Sequence, residues 1–152
     1  RAAQAVTLKM NAEEVDAFIK KVFPQFRIQT RIEELRDGFV RIRMPVTDRN
    51  LRPGGTVSGP TLMALADTGM YCLTLAMVGP VALALTTNLN IDFLRAPKLA
   101  DIFADTEMLK LGSRLAVGRV TIYSEGMHAP VAHASVTYSI PPESKRPRAP
   151  SG

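Results

Sequence analysis

Asp67 is the one charged side chain between Gly54 and Gly79, a stretch that becomes almost wholly apolar after Ser58. An unpaired carboxylate among apolar side chains costs several kcal/mol, roughly, so the group needs a partner, a water or a chemical task. The tasks open to it are proton abstraction and nucleophilic attack. The same stretch opens on Gly54-Gly55-Thr56-Val57-Ser58-Gly59. Ser58 suits a helix N-cap, and Pro60 stands where a missing N–H does no harm. Gly59 would then offer its backbone N–H at the positive end of a helix, where an oxyanion can be stabilised. Its plain alternative is a glycine that only eases entry into the helix. His128 and His133 lack ligand-spaced companions, and with a single cysteine, Cys72, no metal site is readable.

The element that must carry Asp67 is a long helix. Leu62, Leu65, Ala66, Gly69, Met70, Leu73 and Met77 recur at helical spacing, while Met63, Leu75 and Ala76 cover the other side. A helix apolar nearly all round is expected to be buried, with Cys72 as a small core residue. Upstream, Asn11 and Glu14 have the spacing of a capping box. Val15, Phe18, Ile19 and Val22 then form a stripe that Pro24 ends.

Strands account for the rest. Residues 26–36 and 39–46 read as a hairpin joined at Asp37-Gly38, and 47–55 as a loop. Residues 81–94 alternate, with Val81, Leu83, Leu85, Thr87, Leu89, Ile91 and Phe93 on one face. Thr86, Asn88, Asn90 and Asp92 fall on the other. Residues 102–110, 115–123 and 131–140 read as three further strands. Strands thus segregate around one helix, which argues for an α+β fold with an antiparallel sheet. A sheet curled round that helix would cover its whole circumference.

At 152 residues the chain is one domain by length. Residues 1–10 read as an arm, 11–140 as the domain, and the Pro-rich tail 141–152 as disordered. The net charge of +5 sits mostly at the ends: Arg1 and Lys9 at one, and Lys145, Arg146 and Arg148 against Glu143 at the other. The body is nearly neutral, which argues against nucleic acid as a partner. The longest apolar run, residues 69–85, is short for a membrane span, so no membrane partner is expected. A lone cysteine and the lack of a leader pattern suggest a cytoplasmic protein.

Two stretches together resemble a known family. Gly55-Thr56-Val57-Ser58-Gly59-Pro60 followed by Leu65-Ala66-Asp67, and then residues 86–97 with Phe93-Leu94-Arg95-Ala96-Pro97, resemble the hotdog-fold acyl-CoA thioesterases. The resemblance is to the phenylacetate-degradation type, relatives of 4-hydroxybenzoyl-CoA thioesterase. The family pattern is G-x-x-H-G-G with an Asp nine residues after the His, and Asp67 stands nine after Ser58. Ser58 replaces the His and Pro60 the second Gly. The resemblance implies a hotdog fold, an antiparallel sheet wrapped around one central helix. It implies hydrolysis of an acyl-CoA to the free acid and coenzyme A, with no further cofactor. Asp67 would be general base or nucleophile, and the Gly59 amide would polarise the carbonyl. Ser58, more readily a cap, takes the place of the family His. Thr86 lies where relatives carry a hydroxyl that orients water, and Asn50 where some carry a loop Asn touching the thioester. Arg95, Lys98 and Arg114, otherwise solvated charges, could hold the phosphates of coenzyme A.

The rival from another class is a non-catalytic acyl-CoA-binding protein of the same fold. One further expectation comes from geometry. Gly59 and Asp67 are eight residues apart on one helix, roughly 12 Å at ~1.5 Å per residue. One thioester cannot touch both, so a homodimer, alone or as a dimer of dimers, is expected to share its sites.

Overall fold

The computed structural model describes residues 8–25 and 28–145. The chain opens with α1 (Ala12–Val22), capped by the expected box: Glu14 N–H donates to Asn11 Oδ1 at 2.9 Å, and Asn11 N–H to Glu14 Oε1 at 3.2 Å. The hairpin β1 (Arg31–Arg36) and β2 (Phe39–Met44) turns at Gly38, whose φ of 74° suits a residue without Cβ. A 3₁₀ turn at Asp48–Asn50 follows, then the short pair β3 (Leu51–Arg52) and β4 (Thr56–Val57). The long helix α2 (Gly59–Val78) comes next, and then β5 (Leu85–Phe93), β6 (Ile102–Leu111), β7 (Leu115–Ser124) and β8 (Ala132–Ser139). A second 3₁₀ turn covers Glu143–Lys145.

Six strands form one antiparallel sheet in the order β1-β2-β6-β7-β8-β5. α2 lies across β2, β6, β7 and β8, and its side chains meet the inward residues of the sheet in one core. Close approach is possible because Gly69 carries no side chain; a Cβ there would stand 2.5 Å from Thr106 Oγ1. Thr68 and Thr74, buried in the helix, satisfy their hydroxyls on the carbonyls of Ala64 and Met70. α2 is long and apolar enough to cross a membrane by composition, yet most of it is packed inside the fold.

Four expectations are corrected. The sheet does not cover the whole helix: Pro60 and Met63 are exposed, and Gly59, Ala64 and Asp67 only half-buried, so one stripe of α2 stays open. The strand expected over 81–94 starts at Leu85, because residues 81–84 form a turn closed by Ala84 N–H on Val81 O. The last residues of the expected arm pack against the end of α2. Lys9 and Met10 both donate to Ala76 O at the end of α2, and Met10 is buried. The tail begins with an ordered turn. Residues 1–7 and 146–152, and the expected strand start at 26–27, lie outside the described residues.

The fourth correction concerns which way β5 faces. Thr86 pairs with Tyr138 and Asn88 with Thr137, so one extra residue, Thr87, sits between them as a β-bulge. A one-residue slip exchanges the faces of everything before it. Thr86 therefore shares the helix-facing side with Leu89, Ile91 and Phe93, whereas strict alternation puts it with Asn88. Leu85, expected inward, is 66% exposed.

Candidate active site

Asp67 projects from the third turn of α2 toward the bulged start of β5 and the end of β8. Its Oδ1 accepts two hydrogen bonds, from Thr86 Oγ1 at 2.5 Å and from Tyr138 Oη at 2.7 Å. The same phenol also lies 3.2 Å from the Asp67 carbonyl oxygen. Among the described residues Oδ2 accepts none. Burial first, and then the charge of Asp67, push the Tyr138 phenol far above its usual range, so it stays protonated and donates. Behind it, Tyr71 stacks on the Tyr138 ring with centroids 5.9 Å apart, and Phe23 meets Tyr71 edge-on at 5.8 Å.

These groups border a cavity of about 230 Å³ whose apolar walls come from Ile19 of α1, Phe23 just past its end, Tyr71, and Ala84 and Leu85. The arrangement puts a carboxylate with one free oxygen at the rim of an apolar space. It can take a proton from water or attack an electrophilic carbon there.

Sequence reasoning placed Asp67 and Thr86 at the site, and the structure joins them. Tyr138 was missed. Its signal was available: on the inward face of β8 it follows Ala132, Ala134 and Val136, and a buried phenol usually has a hydrogen-bond partner.

Gly59 lies at a second cavity of about 440 Å³, which Arg52, Phe93 and Arg95 also line. Ser58 caps α2: its Oγ accepts from Thr61 N–H at 3.3 Å and lies 2.7 Å from Thr61 Oγ1. Its oxygen is thereby engaged in capping, the reading the sequence favours for Ser58. Pro60 has no N–H, and the Gly59 N–H donates to no described residue, so it remains open at the positive end of the helix. Asn50 touches this region through its backbone, since its carbonyl accepts from Ser58 N–H at 2.8 Å. Its side chain turns the other way and accepts from Thr47 N–H and Thr47 Oγ1.

The three expected phosphate ligands separate. Arg95 donates to Pro130 O at 2.7 Å and Lys98 to Gly126 O at 3.3 Å, both near the Gly59 end of the sheet. Arg114 precedes Leu115, which pairs with Ser139 at the opposite end, beside Tyr138. Arg52, not anticipated from sequence, joins Arg95 at the Gly59 cavity.

The pattern of the Thioesterase superfamily matches residues 54–131, the segment that holds Gly59, Asp67 and Thr86. The chain belongs to the thioesterase superfamily. A candidate thioesterase of Silicibacter sp. TM1040 has the same fold with a TM-score of 0.83, is 46% identical, and matches over 91% of this chain and 97% of its own. A thioesterase of Haemophilus influenzae superposes with a TM-score of 0.78 at 17% identity, over 91% of this chain and 96% of its own, a likeness of fold. A candidate esterase of Halobacterium salinarum is 33% identical over 96 residues, 60% of this chain. That match spans 63% of the Halobacterium protein's length. The antiparallel sheet packed on one long helix is the architecture this superfamily member shares with those structures.

Proposed function

We propose that this superfamily member hydrolyses an acyl-CoA thioester to the free acid and coenzyme A. The observation that carries the reading is the Asp67 carboxylate, held at one oxygen by Thr86 and Tyr138 at the rim of an apolar cavity. As general base, Asp67 takes a proton from water while the water oxygen bonds to the thioester carbon. As nucleophile, it bonds to that carbon itself, and water then cleaves the mixed anhydride. In both routes the C–S bond breaks and the thiolate leaves to be protonated. Negative charge builds on the carbonyl oxygen, which the open Gly59 N–H is suited to stabilise.

Within one chain the Gly59 and Asp67 cavities are separate, which supports a homodimer in which each site joins Asp67 to Gly59 of the partner subunit. The uncovered stripe of α2 and the free edge of β5 lie side by side, and Met63, Leu85 and Phe93 on them are 42%, 66% and 52% exposed. Apolar exposure of that kind beside an unpaired strand edge suits a second copy of the chain. Two antiparallel helices about a two-fold axis would also bring Arg114 of one subunit toward Arg52 and Arg95 of the other. The test is release of free thiol from a panel of aromatic, short and fatty acyl-CoAs. Turnover of one or more supports hydrolysis, and tight binding without thiol release would instead favour a binding protein.

A further inference from the structure

The Asp67 carboxylate has two oxygens and an unequal supply of donors. Thr86 from β5 and Tyr138 from β8 both reach Oδ1, at 2.5 and 2.7 Å, and among the described residues none reaches Oδ2. The two donors differ in kind. Thr86 is an exposed aliphatic hydroxyl at the bulged start of β5. Tyr138 is a buried ring stacked on Tyr71, and both oxygens its hydroxyl reaches, Oδ1 at 2.7 Å and the backbone carbonyl at 3.2 Å, belong to Asp67. Two donors on one oxygen occupy its lone pairs and fix the plane of the carboxylate.

We propose that Tyr138 is a positioning residue for Asp67: together with Thr86 it saturates Oδ1, so that Oδ2 is the oxygen presented to the reacting water or carbon. This rests on Asp67 being the catalytic carboxylate. Among the described residues the titratable groups that face Asp67 are Tyr138 from β8 and, behind it, Tyr71 from α2; β5 contributes the Thr86 hydroxyl, and Ile19 of α1 and Phe23 just past its end reach the cavity.

The experiment compares Tyr138→Phe, 3-fluorotyrosine incorporated at position 138, and Asp67→Asn in thiol release from the best acyl-CoA, across pH. Tyr138→Phe keeps the stacked ring and removes only the donor. The expected result is a fall in kcat of roughly 10-fold with little change in KM, and an acidic limb of kcat/KM displaced to higher pH, because the variant lacks one of the two donors that favour the charged carboxylate. The fluorinated phenol, a stronger donor, should move the limb the other way. A ring that only filled space would give no such opposed pair, and the fluorinated protein answers the question even if the Phe variant fails to fold. An inactive Asp67→Asn with unmoved limbs in both Tyr138 proteins overturns the positioning role alone. An Asp67→Asn protein with wild-type turnover overturns the catalytic reading beneath it.

Discussion

Tyr138 and Asp67 are 71 residues apart in the chain and meet at 2.7 Å, phenol to carboxylate, where the end of β8 passes the third turn of α2. The contact answers what an isolated carboxylate in an apolar helix needs. Among the described residues no cation meets it; it is held by two hydroxyls and left half-open to the cavity.

Because Asp67 is half-buried and bonded to neutral donors, replacing it by Asn should leave the fold standing. We expect Asp67→Asn to lower kcat by about 10²–10⁴-fold, the range of a positioned acid–base group. Circular dichroism and thermal melting should match the parent protein. Near-parental turnover would remove Asp67 from the mechanism, and loss of folded protein would make it a structural carboxylate.

A shared site makes a quantitative prediction about mixtures. Gly59→Pro deletes the amide hydrogen at a helix position where proline is tolerated. Alone, it and Asp67→Asn should each be inactive. Refolded together in equal amounts they should form hybrids in half of the dimers, each with one intact site, restoring about a quarter of wild-type activity. No recovery, or a fully active monomer in sedimentation, contradicts the shared site.

The charged residues should act on binding. Removing Arg52, Arg95 or Arg114 one at a time is expected to raise KM for the acyl-CoA several-fold with kcat nearly constant, as for contacts equal in ground and transition states. Lys98, which does not line the Gly59 cavity as Arg52 and Arg95 do, should have the smallest effect. The effects should shrink at high salt. Unchanged KM in all four would place the coenzyme A phosphates elsewhere.

Cys72 is fully buried in α2, and burial pushes its thiol up to about 12, far above neutral pH. The thiolate is the reactive form. The native protein should therefore give no colour with a disulfide exchange reagent at pH 8, and one equivalent of thiol once unfolded in denaturant. Rapid labelling of the native protein would mean that α2 opens locally.

Much of the architecture could be read from the chain because it rests on short-range patterns. The Asn11–Glu14 box, the Ser58 cap with Pro60 in the first turn, the Asp37-Gly38 turn and the apolar periodicity of α2 each depend on residues within a turn or two of one another. Asp67 stood out for the same reason, as a lone charge in an apolar helix. Its neighbours were harder to see. The side Thr86 faces depends on a bulge at Thr87, and a bulge is set by pairing with β8, to which local alternation is blind. Tyr138 joins the site only because antiparallel register brings it opposite Thr86. The open stripe of α2 was invisible as well, because a stripe of Pro60, Met63, Ala64 and Asp67 reads as buried until the sheet is seen to stop at β5. Local sequence determined which residues form the helix and place a carboxylate on it; long-range strand pairing decided which hydroxyls hold that carboxylate and which face of the helix stays uncovered.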